Sequence, residues 1–391
     1  MAEPPFGAPV LITSKAVRPF DPFAAFQTAL RIPGQSALPL ARRLFRCTRP
    51  PQFLTFPEFF RLGLQRPEVS DAEAAAFFGL ISNNLFNRLL NGPDSDCETA
   101  ALDDKLQTAE RLVRAGIPVA RIRAVFPGTL SAGKAEVLTS ADEIAAFLTR
   151  PDSTPCFGKP VFGTYSRGVV AVEGSAGDGK LVLGDGRVVD AAALAREIAD
   201  TYPAGYMFQD LLRASDAVRA ISGPVIPIIR IYTLWLEGDA RPLYASARLP
   251  APSAMSDDDA MPGSVWLQVD LATGEILRVQ DIDRPAGATA THAPVTGTVL
   301  KGQRFPDWAQ TVAAAVETHR QFPRHRAVGV DLAPSDHGLI VNEANANPGP
   351  MIYQMTSLKG LLNPQFRPLF RQALAERGVK ARVAGTPWPA D

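Results

Sequence analysis

Residues 331–350 read Asp-Leu-Ala-Pro-Ser-Asp-His-Gly-Leu-Ile-Val-Asn-Glu-Ala-Asn-Ala-Asn-Pro-Gly-Pro. One apolar run, Ala327 to Leu332, carries a carboxylate, Asp331, at its end. A second, Gly338 to Val341, runs on into Glu343 and Asn345. Two short strands ending together aim these three side chains at one point. Three hard oxygen donors at one point suit Mg²⁺, which takes carboxylates and leaves the rest of its shell to phosphate and water. A plain hairpin is the competing reading. Asn, Asp, Pro and Gly are ordinary turn residues, and they explain Pro334 to Gly338 and Asn347 to Pro350. They do not explain Glu343 and Asn345 directly after an apolar strand. On this segment alone the two readings stand level. If the metal reading holds, the protein is a nucleotide-using enzyme.

The chain has 391 residues, room for two or three lobes around sizeable cores. Lys plus Arg (40) balances Asp plus Glu (40). A neutral chain without a basic block is a poor match for nucleic acid or an anionic membrane. No apolar run approaches the ~20 residues of a membrane span. Met1 to Val10 lacks the basic and apolar segments of a secretory signal. Cys47, Cys97 and Cys156 lie far apart, and with three of them at least one is unpaired within the chain. A reducing, cytoplasmic setting is the simplest reading. His292, His319, His325 and His337 show no HExxH-like spacing, which speaks against a zinc hydrolase.

Residues 1–100 are rich in Phe, Pro and Arg. They read as a helical N-terminal extension, with short amphipathic helices over Phe20–Leu30, Pro39–Phe45, Pro57–Leu64 and Asp71–Leu90. No chemistry is legible there, and a helical cap on the main body is the expected role. Residues 101–210 read as a first mixed lobe. Asp103 caps a helix with Leu106, Ala109, Leu112 and Val113 on one face, and a strand, Val119–Phe126, follows. Ser140 and Glu143 form a capping box. Residues 211–375 read as a second lobe, with a long hairpin over Val225–Glu237 and Arg241–Arg248, helices over Pro306–Gln321 and Asn363–Arg377, and the opening segment between them. Residues 376–391 read as a tail.

Phe157-Gly158-Lys159-Pro160 ends a strand, and Gly163-Thr164-Tyr165-Ser166-Arg167-Gly168 follows. A strand-end lysine beside a glycine-bounded loop can hold phosphate by charge, with loop N–H groups donating to the oxygens. Neither a Walker loop nor a GxGxxG is present. Lys105 lies in the first turn of its helix, where a cation opposes the helix dipole; reaching a phosphate would explain it. Gln209-Asp210-Leu211-Leu212 leaves an apolar strand, a place where backbone groups can read an adenine edge, and Asp216 lies close enough to take ribose hydroxyls. Arg230 interrupts the apolar run from Val225 to Trp235. A buried arginine needs a partner, so it meets either a structural carboxylate or an anionic ligand. With Arg248 on the adjacent strand it makes a clamp for phosphates.

Taken in order, these pieces resemble the ATP-grasp superfamily, and more narrowly its sugar-transfer-associated group, related to the α-L-glutamate ligases. The likeness runs over roughly residues 101–352. Asp104-Lys105, Gly158-Lys159-Pro160, Phe208-Gln209-Asp210, Ile229-Arg230, Ala247-Arg248, Gly329-Val330-Asp331 and Glu343-Ala344-Asn345 carry it. The resemblance implies an α/β ATP-grasp fold of two α+β lobes holding ATP between antiparallel sheets. It implies Lys105, Lys159 and the loop Gly163, Ser166 and Gly168 on the phosphates. Gln209, Asp210, Leu211 and Leu212 would line the adenine pocket, with Asp216 on the ribose. Asp331, Glu343 and Asn345 would hold Mg²⁺ (usually two ions in the superfamily, Mn²⁺ being an alternative), and Arg230 and Arg248 would face the activated carboxylate. The expected reaction joins a small-molecule carboxylate to an amine through an acyl phosphate, releasing ADP. A phosphotransferase with a hydroxyl acceptor, or a non-catalytic nucleotide-binding protein of a polysaccharide assembly system, are the alternatives. Two features depart from the group: Tyr165 and Ser166 in the loop, and Ser256-Asp257-Asp258-Asp259 where an Asn-containing, glycine-rich loop is usual. Cys156 beside the lysine strand is expected to pack, and neither substrate nor the oligomeric state is legible.

Overall fold

A computed structural model describes residues 10–11, 20–130, 132–163, 167–224, 226–251, 255 and 263–379. Ser166, the acidic loop at 256–259 and the tail beyond 379 lie outside the described residues.

Among the described residues the first elements are helices α1 (Pro22–Leu30), α2 (Ala37–Cys47), α3 (Phe56–Arg61), α4 (Asp71–Ala74) and α5 (Leu80–Asn91). Local signals start several of them. Asp21 accepts from the Phe23 and Ala24 N–H groups at the head of α1, and Thr55 with Glu58 forms a capping box on α3. The single helix expected over Asp71–Leu90 is instead two, α4 and α5. The Phe78 N–H donates to Gln354 Oε1 at 2.8 Å, and the Phe78 carbonyl accepts from Gln354 Nε2 at 2.7 Å. Both backbone groups that a continuous helix would use are taken by a side chain far along the chain.

Helices α6 (Asp96–Asp103) and α7 (Lys105–Arg114) follow. The cap of α7 is Asp104 and not Asp103. Asp104 has the extended backbone a cap needs, and its carboxylate accepts from the Leu106 and Gln107 N–H groups at 2.9 and 3.1 Å. Asp103 ends α6.

The first sheet contains β1 (Ile122–Phe126), β2 (Glu136–Val137), β3 (Cys156–Pro160), β4 (Val170–Gly177), β5 (Lys180–Leu183), β6 (Val188–Asp190) and β7 (Tyr206–Asp210). Their order among the described residues is β2-β1-β7-β3-β4-β5-β6, antiparallel except for β1 with β2. Helices α8 (Ala141–Thr149) and α9 (Ala191–Thr201) bury Phe147, Leu148, Leu194 and Ile198 with Phe208 of the sheet. Ser140 accepts from the Glu143 N–H as expected, but the Glu143 carboxylate turns to Thr139, so the box is not reciprocal. Strand β1 begins at Ile122 because Val119 is drawn into a bridge with Val341 of the other sheet.

After α10 (Asp216–Ser222), the second sheet contains β8 (Ile228–Leu236), β9 (Asp239–Leu249), β10 (Val265–Val269), β11 (Ile276–Asp281), β12 (Ala327–Ser335) and β13 (Gly338–Asn345). It is antiparallel in the order β11-β10-β9-β8-β12-β13. Helix α11 (Trp308–Arg320) packs Ala315 against its apolar face. Helices α12 (Met351–Ser357) and α13 (Arg367–Glu376) come last among the described residues. The helical extension is built into this half: Phe59, Leu62 and Phe77 share a buried cluster with Trp266, Ile352 and Met355. Phe86 meets Phe370 edge-on at 5.1 Å. The α6–α7 pair joins both halves, with Leu106 in a cluster with Val125 and Met207 and Leu102 in the second sheet's core.

Two expectations about stability follow from this packing. A Cβ on Gly360 would run into the backbone of Ala76, whose carbonyl accepts from the Leu362 N–H at 3.1 Å. Gly360→Ala should cost about 1–3 kcal/mol or more, read as a lower melting temperature; an unchanged one would contradict this packing. His319 and His325 are buried, and His325 O lies 2.8 Å from His319 Nε2. Burial lowers their pKa values to about 4 and about 3, from an ordinary 6.5. Both therefore take up a proton on unfolding. Their contribution is whole above pH 6.5 and is lost as pH falls from there toward the folded values. Urea melts should show stability falling by roughly 1 kcal/mol per pH unit per imidazole near pH 5; a flat profile from pH 7 to 4.5 would contradict it.

Candidate active site

A cavity of about 1050 Å³ lies between the two sheets, with α3 and α5 contributing to its wall. Its chemistry is concentrated on one face of the second sheet. Asp331 stands opposite Glu343, and Gly329 opposite Asn345, in the β12–β13 register. Arg230 of β8 stands opposite Asp331, and Ser246 of β9 opposite Arg230. Side chains alternate along a strand, so Arg230, Arg248, Asp331, Glu343 and Asn345 all project from this face, and all line the cavity.

Asp331 is buried. Arg230 grips both its oxygens, Nε to Oδ1 and Nη2 to Oδ2, each at 2.6 Å. Arg248 Nη2 reaches Oδ2 at 3.3 Å, and Asn345 Nδ2 does so at 3.5 Å. Burial pushes the carboxyl pKa up, but the two guanidinium charges and the hydrogen bonds from Arg230 and Asn345 outweigh it, leaving it below the ordinary value. Asp331 is therefore ionised at neutral pH. The choice left open for Arg230, structural carboxylate or ligand, resolves in part: it holds Asp331 while still lining the cavity.

The first half supplies the lysines. Lys105, the first residue of α7, donates to the Gly163 carbonyl at 2.8 Å and stands 3.3 Å from Glu343 Oε1. These two acceptors offset the unfavourable helix dipole. Lys159 of β3 is only 7% exposed and donates to the Asn342 carbonyl at 3.5 Å. Both lysines thus meet the end of β13 from the opposite side of the cavity. Gly163 lines the wall; Gly168 does not, and its carbonyl accepts from Tyr206 Oη at 2.7 Å.

Gln209, Asp210, Leu211 and Leu212 also line the cavity. The Asp210 carboxylate is held by Arg123 and Arg121. Asp216 lies apart from these residues. It is the first residue of α10, its side chain is 98% exposed, and it lies 3.6 Å from Arg219, off the cavity wall. Ala214 bridges Ser335 and the Ser215 N–H donates to Pro334, which carries the chain outward before Asp216. Glu173, ion-paired with Arg213, lies on the wall instead. Cys156 is buried and its thiol is pushed up to about 12, which fits packing and not nucleophilic chemistry. The sequence reading missed Glu173, Arg213, Trp266 and the asparagines Asn83, Asn84 and Asn347, all on the wall.

Among the described residues no group of three or more His, Cys, Asp or Glu stands ready to hold a metal. The expected set is two carboxylates and an amide, all oxygen donors on one face. Asp331 Oδ2 takes Arg230, Arg248 and Asn345, whereas Oδ1 takes Arg230 Nε and has a second lone-pair direction. This donor set fits a hard divalent cation better than a soft one.

Replacing Asp331 by Asn would leave two inward guanidinium groups without the carboxylate they share. Asp331→Asn should cost about 3–5 kcal/mol, measured by chemical denaturation. A change under ~1 kcal/mol, the value of a surface pair, would contradict the role of the buried Asp331 carboxylate between the two arginines.

Residues 84–366 match the family described as sugar-transfer associated ATP-grasp. A search of curated protein sequences finds no match. Among solved structures, the D-alanine-D-alanine ligase of Coxiella burnetii aligns with a TM-score of 0.41 and 12% identity, over 71% of this chain and 58% of that one. The D-alanine–D-alanine ligase of Bacillus anthracis gives 0.36 and 14%, over 71% and 67%. The VanG D-Ala:D-Ser ligase of Enterococcus faecalis gives 0.39 and 15%, over 71% and 60%. These likenesses are too distant to carry an argument about substrates. The family match covers most of the chain and contains Lys105, Lys159, Arg230, Arg248, Asp331, Glu343 and Asn345. The chain belongs to the sugar-transfer-associated ATP-grasp family.

Proposed function

We propose that this protein uses ATP and Mg²⁺ to join a small carboxylate to an amine, through an acyl phosphate, with release of ADP and phosphate. One observation carries the reading. Lys105 and Lys159 from the first half meet the Glu343 end of β13 across a single cavity, beside a sheet face bearing Arg230, Arg248, Asp331 and Asn345.

In this reading the lysines hold the triphosphate as point charges, and Gln209 to Leu212 face the base. Asp331, Glu343 and Asn345 would hold Mg²⁺, which when bound offsets the triphosphate charge. An oxygen of the substrate carboxylate attacks the γ-phosphorus in line, and the bond from that phosphorus to the bridging oxygen of ADP breaks. The amine nitrogen then attacks the acyl carbon. The C–O bond to phosphate breaks, and the phosphate takes up the proton the amine gives up. Arg230 and Arg248 would stabilise charge that develops at the acyl phosphate. The contribution of the protein is positioning and fixed charge, as for phosphoryl transfer in general.

Hydroxylamine tests the reading, because it traps an acyl phosphate as a hydroxamate. With ATP, Mg²⁺ and a panel of carboxylates, the full-length protein should form hydroxamate and ADP in equal amounts. Glu343→Ala should lower the rate by about 100-fold or more. ADP formed with a hydroxyl compound phosphorylated, and no hydroxamate from any carboxylate, would contradict the ligase and favour a phosphotransferase.

A further inference from the structure

We infer that the helical extension makes its end of the cavity into a subsite for a second, unreacting carboxylate on the acid substrate, held by the Arg61 guanidinium and the Asn84 Nδ2 group. The inference rests on the ligase reading and names the substrate class: a short-chain dicarboxylate, one end activated and the other bound.

Arg61 ends α3, is exposed, and lines the cavity. Its guanidinium lies over the Trp266 ring, 5.0 Å from the centroid. A cation over a ring is attracted by the π face, and that contact does not consume the N–H donors with which a guanidinium grips a carboxylate. Trp266 of β10 stands opposite Arg248 of β9 in the sheet register. The same side chain therefore has Arg248 beside it in the sheet and Arg61 over its ring. Arg248 faces the reacting carboxylate in the ligase reading. A second cation so close to it, on the wall of the same cavity, matches a second carboxylate on the same short molecule.

Asn84 adds a donor whose direction is fixed by its neighbours. Asn347 Oδ1 accepts from Asn83 and Asn87 Nδ2, at 3.1 and 2.5 Å, so the Asn347 Nδ2 is left to donate. It does so to Asn84 Oδ1 at 2.6 Å. Asn84 is half-buried and lines the cavity, and its Nδ2 makes no hydrogen bond among the described residues. Leu80, one turn earlier on α5, is exposed, and Met351 is half-buried; both line the cavity and offer apolar surface to a few methylene groups. The carboxylate of Glu58 is tied to two helix starts. It accepts from Thr55 N–H and Oγ1 at the head of α3, at 2.8 and 2.9 Å, and from Leu80 N–H at the head of α5, at 2.6 Å. Helix N-termini offset negative charge, which leaves the Arg61 side of this wall suited to an anion. Arg61 and Leu80 precede residue 84, where the family match begins, so that match does not account for them.

The test supplies hydroxylamine, ATP and Mg²⁺ with succinate, glutarate or adipate, and in parallel with butanoate, pentanoate or hexanoate, the mono-acids of matched length. The kcat/KM for each acid is measured with the full-length wild-type protein, Arg61→Gln, Arg61→Lys and Asn84→Ala. In the wild type at least one diacid should exceed its mono-acid by about tenfold or more, the value of a hydrogen bond to a charged group. Arg61→Gln should lower that ratio about tenfold and Asn84→Ala about fivefold. Arg61→Lys, which keeps the charge without the planar fork, should retain more of it than Arg61→Gln. The ratio is taken within each variant, so a general loss of fold or of nucleotide binding affects both its members alike. A wild-type ratio in Arg61→Gln would mean that the arginine only covers Trp266, and would overturn the inference. Equal use of diacids and mono-acids by the wild type would overturn it and leave the ligase reading standing. No hydroxamate from any acid would remove the ligase reading, and this inference with it.

Discussion

The site is organised around the carboxylate of Asp331, buried and shared between Arg230 and Arg248. Three strands, β9, β8 and β12, contribute one member each, so the ion triad is also a statement of register. A shift of one residue in any of these strands would send its charged side chain to the apolar face under α11. Burying the Asp331 charge is costly unless the two partly buried arginines satisfy it. The 2.6 Å bidentate contact meets that need and holds the planar guanidinium of Arg230 in one orientation. Glu343 and Asn345 follow from the same constraint, because β13 is registered on β12 opposite Gly329 and Asp331.

The two halves meet where this face ends. Lys105 and Lys159 come from a helix start and a strand end of the first half, and both contact the last residues of β13. Neither contact is a strong tie by itself. The Lys105–Glu343 pair is partly solvated, and such pairs contribute little to stability. Its arrangement matters for chemistry instead: two cations and a carboxylate from opposite halves stand together on one cavity wall. Local order at these positions is set by ordinary devices, such as the Asp104 cap that starts α7 at Lys105.

Much of this was legible in the chain because it depends on short-range pattern. Apolar runs marked β12 and β13, and the spacing Asp331, Glu343, Asn345 stood out because turn chemistry explained the rest of the segment. Arg230 stood out as a charge in an apolar strand. Its partner did not, because Asp331 lies 101 residues away and pairing at that range leaves no periodic trace. The same limit explains the split between α4 and α5, which is set by Gln354, 276 residues from Phe78. Asp216 was read from proximity along the chain, and the bridge from Ala214 to Ser335 redirects the chain. Strands β10 and β11 are short, and their apolar runs between loops were not distinguished as strands. No chemistry was legible in the asparagines of α5; only the fold brings Asn347 against them.

The central claim is that the Asp331 face and the two lysines together make a nucleotide site that needs a divalent cation. Calorimetric titration of the full-length protein with a non-hydrolysable ATP analogue, in Mg²⁺ and in chelator, tests it most directly. The account predicts one nucleotide per chain, bound at least about tenfold more tightly with Mg²⁺, a difference of roughly 1.4 kcal/mol. Binding indifferent to Mg²⁺, or no binding at all, would contradict it.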